Sequence, residues 1–310
     1  GEGIPIHPAI LGMDTRCEKE CQLLKEEYGE EELFSRTGIP TYTINTLPKL
    51  MWLKRNSPKV IENSHSFMLY EDFIVKKLTG VSAISHCLAS RTQMYNLQDE
   101  DWSDELLSIA GIKRSQLSTL ITSGEPIAEI NTGLAEELCI SSDTLIVAGG
   151  HDQACGSFGA GIVSEGMAVI STGTAEVVET GLDEPNLSQD LLEARISCYR
   201  HVVPDLYLTM TLNHSGGLLL QKMKQLFFQD LQADKSDQIY DKMLDEAPKR
   251  PSNVLATPHW AGAGTPYMDP EAKGVLTGLD VSTNRGEVVK GIVDGLVYEL
   301  KHNIDRMKSA

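Results

Sequence analysis

The sequence predicts an α/β protein, and the main evidence is a set of apolar segments next to glycine-containing turns. DTLIVAGG, residues 143–150, has the pattern of a buried strand that enters a tight loop. MAVISTGTAEVVE, residues 167–179, has the pattern of two strands joined by a Gly-Thr turn. Helical patterns precede and follow these strands along the chain, and such alternation is typical of the α/β class.

The helical segments are predicted from the spacing of apolar residues. They cover residues 16–28, 49–54, 71–78, 99–110, 215–228 and 287–308. Gly80 is expected to end the third segment, because glycine adopts the left-handed backbone of helix C-termini. Ser103 is expected to act as an N-cap in the fourth segment, before the apolar face formed by Leu106 and Leu107.

The length and net charge of the chain restrict its domain number and the classes of partner that it can bind. A chain of 310 residues is long enough for two domains of about 100–200 residues each. We expect a boundary near Val163, which gives domains of residues 1–163 and 164–310. A net charge of −17 argues against binding to nucleic acid or an anionic membrane surface, since both need a basic patch. No apolar run approaches the roughly 18 residues of a membrane span, and no secretion leader opens the sequence, so a cytoplasmic protein is expected.

Asp152 is the strongest candidate for a catalytic residue, and it lies in the segment AGGHDQACGSFGAG of residues 148–161. It follows the carboxyl end of a predicted strand, where open α/β sheets place their ligands. A carboxylate at that position can accept a proton from an alcohol. The alternative is a helix N-cap, a position that aspartate favours for structural reasons alone.

Glycines on both sides of Asp152 are expected to permit close approach. Gly149 and Gly150 lack side chains, so another molecule could approach the backbone there. The helix that follows would pack closely at three glycines, Gly156, Gly159 and Gly161.

Two further glycine motifs are candidates for phosphate binding. The Gly173-Thr174 turn would point consecutive N–H groups and a hydroxyl outward, which suits phosphate oxygens. NHSGGLLLQKMKQLF, residues 213–227, places a glycine pair at a predicted helix start, where free N–H groups and the helix dipole favour an anion. Each motif has an ordinary structural alternative: a plain hairpin turn for the first and close helix packing for the second.

Other kinds of site find little support. The cysteines are scattered, and the Cys17–Cys21 pair has no second Cys or His pair at zinc-ligand spacing. Reduced thiols without a protein-held metal are therefore expected, and a metal assay would test the zinc alternative. The sequence also lacks a GxxxxGK[ST] phosphate loop, a GxGxxG pattern after a strand, an HExxH pattern and a GxSxG nucleophile elbow.

Taken in order along the chain, these segments resemble the FGGY family of carbohydrate kinases. TLPKLMWLKRN, residues 46–56, is similar to the first family signature, with a departure at Ile44. GVLTGLDVSTNRGEVVKGIVD, residues 274–294, is similar to the second, with a departure at Gly291, where alanine or serine is usual. TPYMDPEAKG, residues 265–274, is similar to the family's TPYWDPxARG run. The resemblance extends over nearly the whole chain, and it favours the general base over the helix cap.

The resemblance implies two lobes of the actin-like ATPase (ribonuclease H-like) fold, with sugar and ATP meeting in the cleft between them. Asp152 would be the general base, and Gln153 would hold a sugar hydroxyl. The other implied site residues are Met13, Asp14 and Arg16 for the sugar and Gly173, Thr174, Gly217 and Gln221 for the nucleotide. Gly12 stands where many relatives have tryptophan, so the identity of the sugar stays open.

The implied activity is ATP-dependent phosphorylation of a sugar or polyol hydroxyl, with Mg²⁺ bridging phosphate oxygens. The expected partners are a sugar and ATP. The family's first phosphate loop and its C-terminal adenine loop are not found, so we expect a fragment that is inactive alone. Its incomplete sheets would expose edges that could support a homodimer. Alternatives are a non-catalytic sugar-binding relative and another ATPase of the same broad fold, such as a chaperone-type ATPase.

Overall fold

The computed structural model describes residues 3–229 and 239–310 and divides the chain into two compact units. The first unit contains Gly1–Met167, Thr180–Leu192 and Ser197–Thr209. The second contains Ala168–Glu179, Glu193–Ile196 and Met210–Ala310. Helices and strands alternate along the chain, as the α/β prediction requires. The domain boundary expected near Val163 stays a prediction.

Helices dominate the first 110 residues. The helices up to residue 193 are α1 (Glu18–Leu24), α2 (Glu30–Thr37), α3 (Thr46–Asn56), α4 (Pro58–Asn63), α5 (Tyr70–Thr79), α6 (His86–Ala89), α7 (Asp104–Ala110), α8 (Thr132–Leu138), α9 (Asp152–Gly159) and α10 (Gln189–Glu193). Gly80 ends α5 as predicted, because it adopts a φ of 81° and donates its N–H to Lys76 O. The Ser103 hydroxyl caps α7, also as predicted, by accepting from Leu106 N.

Two predicted helical segments are shortened by a neighbouring element. The segment predicted as helix from residue 99 begins only at residue 104, because Tyr95–Asn96 and Asp101–Trp102 form a short antiparallel strand pair. The segment predicted as helix over 16–28 begins at residue 18, and a π-helical turn at Lys25–Gly29 follows α1. In both places the apolar spacing is correct, but it does not define where the hydrogen bonds begin.

The strands are short. In chain order they are β1 (Ala83–Ser85), β2 (Tyr95–Asn96), β3 (Asp101–Trp102), β4 (Thr119–Ile121), β5 (Pro126–Glu129), β6 (Leu145–Val147), β7 (Ala168–Thr172), β8 (Glu176–Leu182), β9 (Ser197–Arg200), β10 (Tyr207–Asn213), β11 (Leu255–Thr257) and β12 (Val275–Thr277). β1 pairs with β4 in parallel, while the pairs β2–β3, β5–β6 and β11–β12 are antiparallel. The remaining four strands form a sheet in the order β7–β8–β10–β9. The predicted strand pair at residues 167–179 is confirmed as β7 and β8.

β6 is the strand predicted from DTLIVAGG, but the expectation that it is buried is wrong. Leu145 and Val147 are 56% and 51% exposed. An apolar run of three or four residues does not distinguish a strand buried on both faces from one with an open face.

The second unit has its own hydrophobic core around three helices. These are α11 (Gly217–Phe227), α12 (Ile239–Asp245) and α13 (Arg285–Ser309). The buried core side chains are those of Leu219, Met223, Phe228, Met243, Val288, Val289, Ile292 and Leu296. No helix within residues 3–229 and 239–310 is long and apolar enough to cross a bilayer.

Close packing of α13 explains one departure from the family signature. A β-carbon on Gly291 would lie 2.5 Å from the carbonyl oxygen of Val254, which is closer than real contacts allow. Gly295, one turn later, would meet the Ala256 carbonyl at the same distance. The backbone of α13 therefore approaches β11 directly, and even alanine at position 291 would force the two elements apart.

Candidate active site

Asp152 is the first residue of α9, directly after the loop that follows β6. His151 occupies the N-cap position, and Asp152 Oδ1 accepts a hydrogen bond from Gln153 N at 2.8 Å. This geometry does not cap the helix, so the N-cap alternative for Asp152 is wrong. The side chain is 86% exposed, and its Oδ2 makes no hydrogen bond within the described chain. One carboxylate oxygen is thus open to a substrate.

His151 was not identified from the sequence, although it directly precedes Asp152. Its Nε2 lies 3.3 Å from Asp152 Oδ1. Burial, together with the charge of Arg91, lowers the pKa of His151 to about 4. The ring is therefore neutral near pH 7, and it lies beside Asp152 Oδ1 without adding a positive charge. The ring also makes an edge contact with Tyr199, at 5.7 Å between centroids, which restricts its orientation.

The glycines around Asp152 have different roles from those predicted. A β-carbon on Gly150 would lie 2.4 Å from Val202 Cγ1, so Gly150 is required by the packing of the chain itself. In contrast, β-carbons on Gly156 and Gly159 would meet nothing within 4 Å. The expectation that these two glycines bring α9 close to a neighbour is wrong. Gly161 adopts a φ of 100°, a backbone conformation that favours glycine.

The segment predicted to line a sugar pocket lies before α1. Met13 is 93% exposed, while Asp14 and Arg16 form a two-contact ion pair, with Nε–Oδ1 at 2.8 Å and Nη2–Oδ2 at 2.6 Å. The hydrogen bonds from Arg16 lower the pKa of Asp14 to about 2. The Arg16 guanidinium also lies over the Trp52 ring, 4.9 Å from its centroid. Arg16 is thereby held between a carboxylate and an aromatic face.

Gly12 and Ile44, two positions where the sequence departs from its relatives, lie side by side. A β-carbon on Gly12 would be 3.5 Å from Ile44 Cγ1, which is ordinary van der Waals contact. Lys49, a residue of the first signature, reaches the backbone of both positions from α3. Its Nζ donates to Gly12 O at 3.1 Å and to Ile44 O at 3.3 Å.

In the second unit, the Gly173-Thr174 turn contacts the start of α11. The N–H of Gly217 donates to Gly173 O at 2.7 Å, and the N–H of Gly216 donates to Thr174 O at 2.9 Å. The expectation that these helix-start N–H groups are free for phosphate is therefore wrong. A β-carbon on Gly217 would lie 2.8 Å from Gly173 O, so glycine permits this contact. The turn itself is exposed, as is Gln221, one helical turn after Gly217.

Glu176 is a buried acid that follows the turn directly and was not singled out from the sequence. It is 5% exposed, and burial raises its pKa, with the charge of Glu299 adding to the effect. A β-carbon on Gly216 would lie 2.6 Å from Glu176 Cγ. The Glu176 side chain therefore fills the space behind the start of α11. Two acids, Glu176 and Glu179, next to the valines of the AEVVE run were the available signal.

The described residues contain no group of three or more His, Cys, Asp or Glu side chains that could hold a metal ion. Among the cysteines, Cys17 and Cys21 are buried free thiols, whereas Cys155, one turn into α9, is exposed. Mg²⁺ commonly binds through one or two carboxylates, substrate phosphates and water, without a dedicated protein cage.

Comparison with known proteins identifies relatives over the whole chain. Residues 2–159 match the N-terminal domain of the FGGY family of carbohydrate kinases, and residues 168–310 match the C-terminal domain of the same family. A xylulose kinase from Staphylococcus xylosus is 31% identical over 311 residues, covering 99% of this chain and 62% of the relative. A gluconokinase from Bacillus subtilis (strain 168) is 26% identical, covering 96% of this chain and 58% of the relative.

Solved structures show the same fold. A xylulose kinase from Brucella ovis superposes with a TM-score of 0.87 at 24% identity, covering 98% of this chain and 60% of that one. Plasmodium falciparum glycerol kinase with ADP superposes with a TM-score of 0.86 at 18% identity, covering 99% of this chain and 61% of that one. The chain thus spans about three-fifths of the length of the relatives it matches.

Proposed function

The chain belongs to the FGGY family of carbohydrate kinases, and from this premise we propose that the protein transfers the γ-phosphoryl group of ATP to a hydroxyl of a sugar or polyol. The observation that carries the proposal is the carboxylate of Asp152. It stands exposed at the start of α9, has one unbonded oxygen and does not cap the helix. A carboxylate without a structural task, in a kinase family that needs a base near its acceptor alcohol, supports a chemical role.

The proposed roles of the other residues follow the two units. In the first unit, Gln153, Met13, Asp14 and Arg16 would contact the sugar. The Asp14–Arg16 ion pair holds both side chains in one orientation, which suits recognition of a polyol by several directed hydrogen bonds. In the second unit, Gly173, Thr174 and Gln221 would contact ATP, and Gly217, whose N–H is bonded to Gly173 O, would support the Gly173-Thr174 turn. The exposed turn, supported from behind by Glu176, is the proposed contact for phosphate oxygens.

In the proposed reaction, the acceptor hydroxyl loses its proton to Asp152 Oδ2 as its oxygen forms a bond to the γ-phosphorus. The bond between that phosphorus and the bridging oxygen of ATP breaks, and ADP leaves. Neutral His151 and Gln153 N both contact Oδ1, which leaves Oδ2 to accept the proton. Mg²⁺ bound with ATP would supply positive charge to the phosphate oxygens. Catalysis by the chain itself would consist of orienting the alcohol and accepting its proton.

The names of the relatives guide the choice of substrates for testing. We propose that the acceptor is a ketopentose such as xylulose or a sugar acid such as gluconate, because proteins with those names match nearly the whole chain. Arg16 is already paired with Asp14, so the pair offers little net positive charge to a sugar acid. This favours the neutral ketopentose.

The test is ADP release by the protein expressed from its whole reading frame, with xylulose, gluconate, glycerol and fucose. Asp152→Asn preserves size but removes the basic oxygen, so the rate should fall by about 10²–10⁴-fold. ATP affinity should be unchanged, because Asp152 is assigned to the sugar. Asp143→Asn makes the same change at an exposed aspartate before β6 and should be neutral.

Two outcomes would contradict the proposal. Near-normal turnover of Asp152→Asn would remove Asp152 from the role of base. Sugar binding by the wild type without ADP release for any of the four substrates would favour the alternative of a non-catalytic sugar-binding relative.

A further inference from the structure

The carboxylate of Glu71 connects three elements of the first unit. Glu71 lies in the first turn of α5, and its Oε1 accepts from Gly149 N at 3.0 Å. Its Oε2 accepts from Ser85 N at 3.0 Å and from Ser85 Oγ at 2.8 Å. Ser85 ends β1, and Gly149 lies in the loop between β6 and Asp152. One side chain therefore ties α5, β1 and this loop together.

The loop has few other hydrogen bonds. At its first residue, Ala148 exchanges backbone bonds with the turn at residues 124–125, at 2.8 and 3.0 Å. After that point, Glu71 provides the hydrogen bond to the Gly149 N–H. Gly150 packs against Val202 and Cys87, and the backbone of the next residue, His151, hydrogen-bonds to Cys87. The orientation of the peptide two residues before His151 therefore depends on the Glu71 carboxylate.

The other end of the contact is also fixed. While Ser85 Oγ donates to Glu71, it accepts from Leu88 N at 3.1 Å and so caps α6. The Ser85 hydroxyl that Glu71 accepts from is thus itself held in place by the first turn of α6. The charge of Glu71 also affects Cys155, which lies in α9 one turn beyond Asp152. Burial is the main reason why the pKa of Cys155 is raised, and the negative charge of Glu71 is the second. The carboxylate lies close to the first turn of the helix that begins at Asp152.

We propose that Glu71 is a positioning residue, which holds the Gly149 peptide and thereby sets the direction in which Asp152 presents its carboxylate to the acceptor alcohol. This inference rests on the proposed function of Asp152 as a base. Glu71 itself would not contact the substrate. Because misplacement of a reacting group by about 1 Å can reduce a rate by about 10²-fold, a loop held at this point can determine turnover.

The decisive variant is Glu71→Gln. A glutamine offers one acceptor oxygen and one NH₂ donor, so it cannot accept from both the Gly149 and the Ser85 backbone N–H groups. Whichever way the amide turns, one N–H loses its partner. Glu62→Gln is the matched control, since Glu62 is an exposed glutamate on α4 with no side-chain partner among the described residues.

Two measurements are expected to change together in Glu71→Gln. Hydrogen–deuterium exchange of the Gly149 amide should accelerate by about tenfold or more, because its protecting bond is weakened. In the protein expressed from its whole reading frame, kcat should fall by roughly 10- to 100-fold, with the KM for ATP unchanged. Glu62→Gln should change neither quantity. A second variant, Glu71→Asp, keeps the negative charge but has a shorter side chain. Its Gly149 exchange rate and its kcat should lie between those of Glu71→Gln and the wild type.

A double-mutant cycle separates positioning from a general structural effect. If Glu71 acts through Asp152, then Glu71→Gln should cost no further rate in the Asp152→Asn background. Equal losses in both backgrounds would overturn the inference, as would wild-type exchange at Gly149. If Asp152→Asn alone retains its rate, the proposed base is wrong, and the exchange measurement still decides whether Glu71 holds the loop.

Discussion

Lys49 Nζ donates a hydrogen bond of 2.6 Å to the carbonyl oxygen of Leu11. The same ammonium group also reaches Gly12 O and Ile44 O, so all three of its N–H donors have backbone acceptors. The stretch that precedes the Asp14–Arg16 ion pair is therefore attached to α3 by one buried lysine. This gives the lysine of the first signature a structural role in the proposed sugar pocket.

Lys49→Met should loosen this attachment while keeping most of the buried side-chain stem. Since hydrogen bonds to charged groups contribute about 1.5–3 kcal/mol, we expect the free energy of unfolding to fall by about that amount. The KM for the sugar should rise by about tenfold, equivalent to about 1.4 kcal/mol, while the Kd for ATP stays constant. Urea denaturation and steady-state kinetics measure the two effects. Lys59→Met, at an exposed lysine of α4, should change neither the free energy of unfolding nor the KM for the sugar. If both substitutions had equal effects, Lys49 would not hold this stretch specifically.

Gly217→Ala should weaken nucleotide binding. The new β-carbon would meet Gly173 O at 2.8 Å and displace the turn proposed to contact phosphate. We expect the Kd for ATP, measured by titration calorimetry, to rise by about tenfold, or about 1.4 kcal/mol. Gly156→Ala is the control, because a β-carbon there meets nothing within 4 Å and alanine favours a helix. Unchanged ATP affinity in a folded Gly217→Ala protein would exclude this turn from the nucleotide site.

Gly291→Ser introduces a residue that is usual in the family signature, but here it should destabilise the protein. Its β-carbon would lie 2.5 Å from Val254 O, and both atoms belong to packed backbone elements. Overpacking of this kind typically costs about 1–3 kcal/mol, which a thermal or urea melt would resolve. A Gly291→Ser protein as stable as wild type would show that α13 can move away from β11 at no cost.

Asp72→Asn should change how stability depends on pH. Asp72 is 2% exposed, and burial raises its pKa to about 6, although Ser118 Oγ donates to it at 2.7 Å. Between about pH 4 and pH 6 the folded protein keeps a proton that the unfolded chain has lost, so the free energy of unfolding falls as the pH rises. At 1.36 kcal/mol per pKa unit, ionisation of Asp72 lowers the free energy of unfolding by about 3 kcal/mol over this pH range.

Urea denaturation at intervals from pH 4 to pH 7 measures this effect. Relative to wild type, Asp72→Asn should gain stability steadily as the pH rises through this range, with no further gain above about pH 7. Asp143→Asn, at an exposed aspartate, should follow the wild-type curve. Parallel curves for wild type and Asp72→Asn would show that Asp72 ionises as readily in the folded protein as in the unfolded chain.

Local signals in the sequence predicted the elements well. The glycine at 80 and the serine at 103 end and cap their helices as expected, because these effects involve residues within one turn of each other. The strand at 145–147 was assigned correctly, but its exposure was not, because exposure depends on what covers the strand. The apolar spacing also did not reveal that residues 95–102 form a strand pair.

The candidate site was predictable where its residues are adjacent in the motif and not where they are distant. Asp152 and Gln153 were identified from one segment, with help from the family resemblance. Glu71 contacts Gly149 across 78 positions, and no local pattern predicts such a bond. His151 was within reach of sequence reasoning, but its low pKa arises from burial and from Arg91, which only the fold brings close.

The exposed thiol of Cys155 makes the protein suitable for labelling with a fluorescent reporter. Cys155 lies three residues after Asp152 and therefore on the same side of α9. Four of the other cysteines are buried, so Cys139→Ser would leave one accessible thiol. Because partial desolvation and the nearby carboxylates of Glu71 and Asp152 raise the pKa of Cys155, a maleimide dye should couple faster as the pH increases. A dye at this position would test the proposed sugar site beside Asp152, because binding of a sugar there should change its fluorescence independently of turnover.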